Sequence, residues 1–461
     1  MKDNIDLKNI NKIYFIGIGG IGISATARIL KRLGKDVYGS DASESEVIAS
    51  LRGEGIEIKV PQLESNLVND AELVVYSVAV PVDNLERIKA ESLGLRLISY
   101  PQLLGLLIQD KYPIGVSGTD GKTTTTAMIA KIFISAGLDP TVVLGSQADF
   151  LEGNARLGNS KYFVFESDEY RRAFDNYNPN VAVVTNIGLD HLDYFHDQSD
   201  YISAFESYLK KIPASGFVII NNDNNNSIVV AKNVSAKKFS FGIDNDSDFK
   251  AVCANTENGR QYFDVFVAND LAGNFSLKIP GKFNVYNALA SIVVARIFNI
   301  DWEIIKKSLA DFNGAWRRFE RLGFLGNAEI IADYAHTPDA ILKNITAVKE
   351  FFSGKKILFV FQPHQYNRTK NFFDAFAKSF VGADNVIISD IFYVEGRENP
   401  KDFDISSEKL VEAIKKNGVS AIYGGDLITT ENLIRKMSGD FDVLMIMGAG
   451  NIYETAKNLI K

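Results

Sequence analysis

The segment Gly118-Thr119-Asp120-Gly121-Lys122-Thr123 lies between a short apolar run and a stretch with apolar residues at helical spacing. The apolar run, Tyr112–Ser117, is predicted to be a buried strand, and Thr124–Ala136 is predicted to be a helix. A glycine turn between a strand and a helix leaves backbone N–H groups that can bind phosphate oxygens, helped by the positive end of the helix dipole. The sequence therefore predicts a site for the phosphates of a nucleoside triphosphate.

Lys122 and Thr123 bring the side chains that such a loop needs. The lysine supplies a mobile positive charge for the outer phosphates, and the threonine hydroxyl is placed to hold Mg²⁺. The complete phosphate-loop pattern has an earlier glycine, at the position where this chain has Val116. A chance glycine turn before a helix is the alternative, but the order of strand, G-K-T and helix favours the phosphate site.

A second glycine-rich turn, Gly17-Ile18-Gly19-Gly20-Ile21-Gly22, directly follows the predicted strand Lys12–Ile16. The next predicted strand closes at Asp41. This is the context of a dinucleotide fingerprint, in which glycines let the backbone approach a diphosphate and an acid binds a ribose hydroxyl. Close helix–strand packing without a ligand is the alternative. The motif indicates a diphosphate and does not distinguish NAD from a UDP-sugar.

Length and periodicity predict a three-domain α/β protein. A chain of 461 residues exceeds one hydrophobic core and should form about three domains. Predicted strands alternate with helical patterns, which is typical of parallel sheets covered by helices. We expect a Rossmann-like domain at residues 1–107, a central phosphate-loop ATPase domain at 108–313 and a second Rossmann-like domain at 314–461. Within the central domain, Phe239–Phe266 is predicted to be a β-rich insertion.

Composition excludes several classes of protein. The net charge is −7, from 50 basic and 57 acidic side chains, so nothing suggests a nucleic-acid surface. The single cysteine, Cys253, excludes an internal disulfide framework and fits a reducing cytoplasm. The N-terminal residues lack the apolar core of a signal peptide, and the longest apolar runs are too short to span a bilayer. We expect a cytoplasmic protein without a membrane span, as a monomer or a homodimer.

Acidic and histidine side chains follow two further strands of the central region. Glu166 ends the predicted strand Tyr162–Glu166, as a metal-holding acid does downstream of a phosphate loop. Another predicted strand, Val181–Thr185, leads to Asn186 and then to Asp190-His191-Leu192-Asp193. A histidine at a strand end could help to hold a second metal ion between phosphate and another substrate. A solvated acidic turn and a hydrogen-bonded loop histidine are the alternatives.

The C-terminal region carries similar patterns. His336 and His364 both follow predicted strands, whereas His196 has no such context and is interpreted as a surface residue. Arg317-Arg318-Phe319-Glu320 lies at the junction of the second and third predicted domains and could reach phosphates. A salt bridge in a linker explains the two arginines equally well.

Taken in order, these segments resemble those of the Mur ligases of bacterial cell-wall synthesis. The matching motifs span nearly the whole chain: G-I-G-G-I-G-I-S, G-T-D-G-K-T-T-T-T, N-A-R-L-G, T-N-I-x-x-D-H-L-D, R-R-F-E, F-Q-P-H-Q-Y-N-R-T and M-G-A-G-N-I-Y. The segment F-Q-P-H-x-Y-x-R-T points to the branch that adds L-alanine to UDP-N-acetylmuramate. The resemblance implies that ATP phosphorylates the lactyl carboxylate and that the amine of L-alanine attacks the acyl phosphate, releasing phosphate.

The resemblance also implies roles for individual residues. Lys122, His191 and Glu166 should be catalytic, with Thr123, Glu166 and His191 near Mg²⁺. The ATP site should contain Gly118, Thr119, Asp120, Gly121, Lys122, Thr123, Thr124, Asn284, Arg318 and Asp333. The UDP-sugar site should contain Gly17, Gly19, Gly20, Ile21, Gly22, Asp41 and Ser77. His336 and Arg368 should lie near the amino acid.

Some positions depart from the family pattern. Asp120 and Phe283 stand where histidines are usual, and the acidic segment reads E-S-D-E-Y. Thr337 and Gln365 replace a histidine and an arginine near the expected amino-acid site, so the amino acid is less constrained than the reaction. The alternatives are a murein-peptide ligase that joins a tripeptide, an NAD-dependent oxidoreductase and a phosphate-loop binding protein. The oxidoreductase would leave the phosphate loop unused, and the binding protein would not need the third domain.

Overall fold

A computed structural model of the chain describes residues 5–151, 153–188, 190–191, 194–257, 259–394 and 398–460. Leu189, Leu192 and Asp193 of the histidine-bearing segment lie outside these residues. Within the described ranges, no helix is both long and apolar enough to cross a membrane. The chain divides into two compact units, the first made of Met1–Val252, Val265–Gly273 and Tyr286–Leu309, and the second of Cys253–Asp264, Asn274–Val285 and Ala310–Lys461. The domain boundaries proposed above at 107/108 and 313/314 remain predictions.

The first unit begins with a five-stranded parallel sheet in the order β3-β2-β1-β4-β5. Its strands and helices are β1 (Lys12–Ile16), β2 (Asp36–Ser40), β3 (Glu57–Lys59), β4 (Leu73–Tyr76), β5 (Leu97–Ser99), α1 (Ile21–Arg32), α2 (Glu46–Gly53), α3 (Leu85–Ser92) and α4 (Tyr100–Ile108). This order reverses between β1 and β4, as in a Rossmann-like fold, and confirms the predicted class. Gly17 follows β1 and Ser77 follows β4, so both lie at the crevice where such sheets bind ligands.

The second sheet has ten strands in the order β15-β14-β13-β12-β11-β10-β6-β9-β7-β8. Its strands are β6 (Tyr112–Ser117), β7 (Thr141–Ala148), β8 (Gly153–Arg156), β9 (Tyr162–Glu166), β10 (Val181–Val184), β11 (Phe217–Asn221), β12 (Lys237–Gly242), β13 (Phe249–Glu257), β14 (Arg260–Val267) and β15 (Asp270–Leu277). The accompanying helices are α5 (Lys122–Ser135), α6 (Gln198–Leu209), α7 (Asn225–Val230), α8 (Lys282–Ile297) and α9 (Trp302–Ala310). Strand β6 pairs in parallel with β9 on one side and β10 on the other, so the segments that follow these three strands meet at one edge.

The third sheet lies in the second unit and has the order β16-β17-β21-β18-β19-β20. Strand β16 is antiparallel and the other five are parallel, which confirms the predicted C-terminal α/β fold. The strands are β16 (Glu320–Leu325), β17 (Ala328–Asp333), β18 (Ile357–Phe361), β19 (Asn385–Ser389), β20 (Ser420–Gly425) and β21 (Val443–Met447). The helices are α10 (Pro338–Phe351), α11 (Tyr366–Asn371), α12 (Phe373–Ser379), α13 (Ser407–Lys416), α14 (Leu427–Met437) and α15 (Ile452–Asn458).

Helix α1 links the first sheet to the edge of the second. The Arg28 guanidinium is 2% exposed and donates hydrogen bonds to Glu54 Oε1 at 2.6 Å and to Asn154 Oδ1 at 2.5 Å. Asn154 is fully buried on β8, and its amide donates in turn to the carbonyl oxygen of Ile21. The first turn of the helix that follows the glycine-rich turn is therefore held by a side chain of the second sheet.

Strands β1 and β2 approach so closely that Gly39 has no room for a side chain. A Cβ atom at Gly39 would lie 2.4 Å from the carbonyl oxygen of Phe15, its partner in the parallel register. We expect Gly39→Ala to lower the free energy of unfolding by about 1–3 kcal/mol, because the added methyl must displace backbone. Gly53→Ala is the control, since a Cβ there meets nothing within 4 Å in helix α2. Urea unfolding measures both, and equal stability of Gly39→Ala and wild type would contradict the expectation.

Candidate functional site

The phosphate loop packs tightly on the segment that follows β10. Gly118 has φ +128° and Gly121 has φ +85°, which are conformations that side-chain-bearing residues rarely adopt. A Cβ at Gly118 would lie 2.2 Å from Thr185 Oγ1, and one at Gly121 would lie 2.3 Å from Asn287 Oδ1. Both glycines are therefore required by close packing as well as by the turn.

Asp120 contributes its backbone to this packing. Its N–H donates to Asn186 Oδ1 at 3.1 Å, and its carbonyl oxygen accepts from Asn186 Nδ2 and from Thr185 Oγ1. These bonds accompany the end of β10 at Val184, one residue before the end of the strand predicted at Val181–Thr185. Beyond β10, the side chains of Thr185 and Asn186 form hydrogen bonds with the backbone of Asp120 in the phosphate loop.

Lys122 points at a carboxylate. Its Nζ donates to Glu169 Oε1 at 2.9 Å and Oε2 at 3.0 Å, and to the carbonyl oxygen of Gly118 at 2.6 Å. Glu169 is fully buried. Burial alone would raise the pKa of Glu169, but the charge of Lys122 and hydrogen bonds from His191 and Lys122 outweigh it and leave that pKa below its ordinary value. The pair is therefore a buried ion pair.

His191 completes a cluster with two acids. Its Nε2 lies 3.7 Å from Glu169 Oε1, and donor atoms of Asp168, Glu169 and His191 all lie within 4.8 Å of one another. The His191 ring packs against Tyr170 with centroids 4.6 Å apart, and its backbone has φ +55°. Burial alone would lower the pKa of His191, whereas the neighbouring acids raise it above the ordinary value. Carboxylate oxygens and an imidazole at this spacing can hold a divalent cation.

Glu166 lies beside Thr123. Its Oε2 accepts from Thr123 Oγ1 at 3.0 Å, and its Oε1 accepts from the backbone N–H of Gly145 at 2.5 Å. Sequence reasoning selected Glu166 because it ends the strand, and it missed Asp168 and Glu169. The signal was present in the same E-S-D-E segment, but the strand end alone does not show which acid turns toward Lys122.

The glycine-rich turn of the first sheet is shaped by Asp41. The N–H of Gly19 donates to Asp41 Oδ2 at 2.7 Å, and the N–H of Ala42 donates to Asp41 Oδ1 at 2.8 Å. Gly17 has φ +75°, and a Cβ there would lie 3.1 Å from Ser77 Cβ. The acid predicted to bind a ribose hydroxyl therefore also fixes the turn that carries it.

Asn284 and Asn287 lie one turn apart at the start of α8. Asn284 Nδ2 donates to the carbonyl oxygen of Pro280 at 2.7 Å, so this predicted adenine ligand also closes the turn before the helix. Asn287 Oδ1 accepts from Thr125 Oγ1 at 3.2 Å. Asn287, which sequence reasoning did not select, packs against Gly121 of the phosphate loop.

The two arginines of the R-R-F-E segment have different environments. Arg317 is buried and donates to the carbonyl oxygens of Gly448 and Gly450. Arg318 lies over the ring of Tyr334, 4.8 Å from its centroid. These contacts give Arg317 a structural role and leave Arg318 as the partly exposed arginine of the two.

Asp333 connects three segments of the second unit. It accepts hydrogen bonds from the N–H groups of Phe319 and Ala335 and from Asn344 Nδ2, each at 2.8 Å. This predicted nucleotide ligand therefore also ties the R-R-F-E segment to the end of β17 and to helix α10.

Two histidines and an arginine meet at strand ends of the third sheet. His336 follows β17 and His364 follows β18, and their ring centroids are 6.3 Å apart. Arg368 Nη1 lies 3.3 Å from His364 Nδ1, and His364 stacks on Phe392. The structure places His364 beside both His336 and Arg368. That His336 and Arg368 lie near the amino acid stays a prediction.

The buried ion pair generates a stability prediction. Lys122→Met should lower the free energy of unfolding by about 3 kcal/mol, because the Glu169 carboxylate is left buried without its partner. The double variant Lys122→Met/Glu169→Gln should recover most of this loss, since it buries no charge. Lys306→Met breaks a pair with the exposed Glu303 and should cost less than about 1 kcal/mol. Chemical unfolding without nucleotide measures all three, and a double variant as unstable as Lys122→Met would contradict the pairing.

Three family models match nearly the whole chain. The Mur ligase family catalytic domain matches residues 12–112, the Mur ligase middle domain matches 116–295, and the Mur ligase glutamate ligase domain matches 317–450. These segments follow the order of the three sheets.

Two relatives align with this chain over nearly its full length. A UDP-N-acetylmuramate–L-alanine ligase of Caldanaerobacter subterraneus is 38% identical over 99% of this chain and 99% of its own length. One of Acetivibrio thermocellus is 39% identical over 99% of this chain and 97% of its own. Both extend across all of the motifs described above.

Solved structures agree with the fold. The UDP-N-acetylmuramate–alanine ligase of Thermotoga maritima superposes with a TM-score of 0.85 at 30% identity, covering 97% of this chain and 98% of that one. A murein peptide ligase of Psychrobacter arcticus gives 0.71 at 24% identity, covering 98% of each chain, and supports the fold alone. From its three matched domains and its full-length relatives, the chain belongs to the Mur ligase family.

Proposed function

We propose that this chain is an ATP-dependent ligase that joins L-alanine to the lactyl carboxylate of UDP-N-acetylmuramate in peptidoglycan precursor synthesis. The observation that carries the proposal is the cluster of Lys122, Glu169 and His191 at the ends of three adjacent parallel strands. The alternative, joining a tripeptide, is less well supported. The relatives at 38% identity and above are named for L-alanine, whereas the murein peptide ligase shares the fold at 24% identity.

The chemistry needs positioning and charge neutralisation more than a protein nucleophile. A lactyl carboxylate oxygen attacks the γ-phosphorus of ATP, the bond to the β-phosphate oxygen breaks, and ADP leaves. The alanine amine then attacks the carbonyl carbon of the acyl phosphate, the C–O bond breaks, and phosphate and a proton leave. Lys122 would exchange Glu169 for the phosphates, and the loop Gly118–Thr124 would surround them, with the N–H groups of Thr119 and Asp120 held by Asn186. Asn284, Arg318 and Asp333 are proposed to contact the rest of the nucleotide.

We assign Mg²⁺ to the same edge of the sheet. Thr123 and Glu166 would hold one ion, and His191 with Glu169 and Asp168 would hold a second. Thr123, Glu166, Asp168 and Glu169 offer the oxygen ligands that Mg²⁺ prefers, and His191 would add one imidazole nitrogen. A bound divalent ion neutralises charge on the phosphates during transfer.

The other two substrates are assigned to the ends of the first and third sheets. Gly17, Gly19, Gly20, Ile21 and Gly22 would bind the diphosphate of UDP-N-acetylmuramate, with Asp41 and Ser77 beside it. Arg368 has the planar, fixed donors that suit an α-carboxylate, and His336 and His364 could orient the amine.

Release of ADP tests the function directly. With UDP-N-acetylmuramate and ATP present, L-alanine should give the fastest ADP release, glycine and L-serine should give less, and L-glutamate and the tripeptide should give little. The side chain of L-glutamate would need an additional cation, which Gln365 does not supply. Omitting UDP-N-acetylmuramate should abolish coupled ADP release. Preference for the tripeptide would establish the alternative function, and preference for NAD over UDP-N-acetylmuramate in calorimetry would contradict the assignment of the first sheet.

The metal assignment predicts a specific change in Mg²⁺ dependence. His191→Ala should raise the Mg²⁺ concentration needed for half-maximal ADP release about tenfold or more, because one ligand position is lost. His196→Ala is the matched control, since His196 is exposed and outside the cluster. Mg²⁺ titrations of both variants at saturating substrates make the comparison. An unchanged Mg²⁺ requirement in His191→Ala would assign this histidine a structural role.

A further inference from the structure

Tyr201 is fully buried and contacts both Thr119 of the phosphate loop and the buried carboxylate of Glu169. It lies on helix α6 and is fully buried, with its ring packed edge-on against Phe195 and Phe205. Its hydroxyl donates to Glu169 Oε1 at 3.2 Å and lies 3.1 Å from Thr119 Oγ1. The hydroxyl therefore sits between a loop that surrounds phosphates and the carboxylate that holds Lys122.

The Thr119 end of this connection is fixed by backbone. Thr119 Oγ1 donates to the carbonyl oxygen of Gly188 at 2.8 Å and accepts from the N–H of Gly188 at 2.9 Å. A tyrosine hydroxyl carries one proton that it can donate. A charged carboxylate is the stronger of its two acceptors, and the Tyr201 proton is therefore donated to Glu169.

The position of Lys122 decides how much this hydrogen bond matters. In the free protein Glu169 receives two bonds from Lys122 and one from Tyr201. When phosphates attract Lys122, the carboxylate keeps the Tyr201 hydrogen bond and the His191 ring, whose Nε2 lies 3.7 Å from Glu169 Oε1. A buried carboxylate that loses its donors is strongly destabilised.

Building on the proposed ATP site, we propose that Tyr201 is a positioning residue that lets Lys122 leave Glu169 for the nucleotide. Its hydroxyl stabilises the Glu169 carboxylate most when the lysine has moved away, so it favours the nucleotide-bound state over the free state. It also keeps the carboxylate in place beside His191. Tyr201 touches no substrate in this role and acts through Glu169.

Tyr201→Phe removes one oxygen and keeps the packed ring. Tyr208→Phe is the matched control, because Tyr208 is fully buried on the same helix and its hydroxyl has no hydrogen-bond partner among the described residues. The measurement is calorimetric titration of the full chain with β,γ-imido-ATP in the presence of a chelator, so that no metal ion compensates Glu169. Tyr201→Phe should weaken binding about tenfold or more, the size of a hydrogen bond to a charged group, and Tyr208→Phe should leave it unchanged.

The same Tyr201→Phe substitution made in a Glu169→Gln protein separates a positioning role of Tyr201 from a purely structural one. Glu169→Gln carries no buried charge, so Lys122 is released freely and binding should be at least as tight as in wild type. In that background Tyr201→Phe should change affinity far less than in wild type, because a neutral amide does not depend on the tyrosine proton. Thermal unfolding of each variant records whether the fold is retained.

The outcomes distinguish this proposal from the proposed function. Equal affinity of wild type and Tyr201→Phe, or an equal loss in both backgrounds, would overturn the role of Tyr201 and leave ATP binding intact. A wild-type chain that does not bind the analogue would overturn the ATP site itself, and the role of Tyr201 with it.

Discussion

Lys122 and Glu169 neutralise each other at the ends of two neighbouring strands of the central sheet. The carboxylate is fully buried, and without a cation it would be strongly destabilising. The phosphate loop, the acidic segment after β9 and the histidine segment after β10 therefore depend on one interaction. Under the proposed function, phosphates would attract the same lysine, and a nucleotide would replace the contact with Glu169. Nucleotide binding and stability would then be coupled through a single side chain.

Both glycine-rich turns are close-packed as well as open to ligands. Gly118 and Gly121 lie against side chains that follow β10 and begin α8, and Gly17 lies against the end of β4. A turn held from behind in this way has its conformation fixed by the protein itself, which reduces the ordering required on binding. The glycines are needed for their conformation and because a Cβ atom would displace the residues that support them.

The first turn of α1 depends on a residue far away in the chain. Asn154 on β8 donates to the carbonyl oxygen of Ile21, and Arg28 holds Asn154. A fragment ending at residue 107 would contain the glycine-rich turn without this support. Helix α1 contacts both the first and the second sheet. The glycine-rich turn that precedes it is therefore supported by residues of both sheets.

The sequence did not predict strands β7, β8, β16 and β20, and Arg368 lies on helix α11 rather than at a strand end. By itself it determined the three α/β regions, most of the parallel strands, the two glycine-rich turns and the presence of Glu166, His191 and His336 after strands. These follow from local periodicity and from turns that only glycine allows, which are properties of short segments. Only the tertiary structure decided that Glu169 rather than Glu166 pairs with Lys122, that Asn287 supports the loop and that Tyr201 bridges Thr119 to the acid. Those contacts join residues tens of positions apart, and they depend on which strands are neighbours and which way each chain turns after its strand ends.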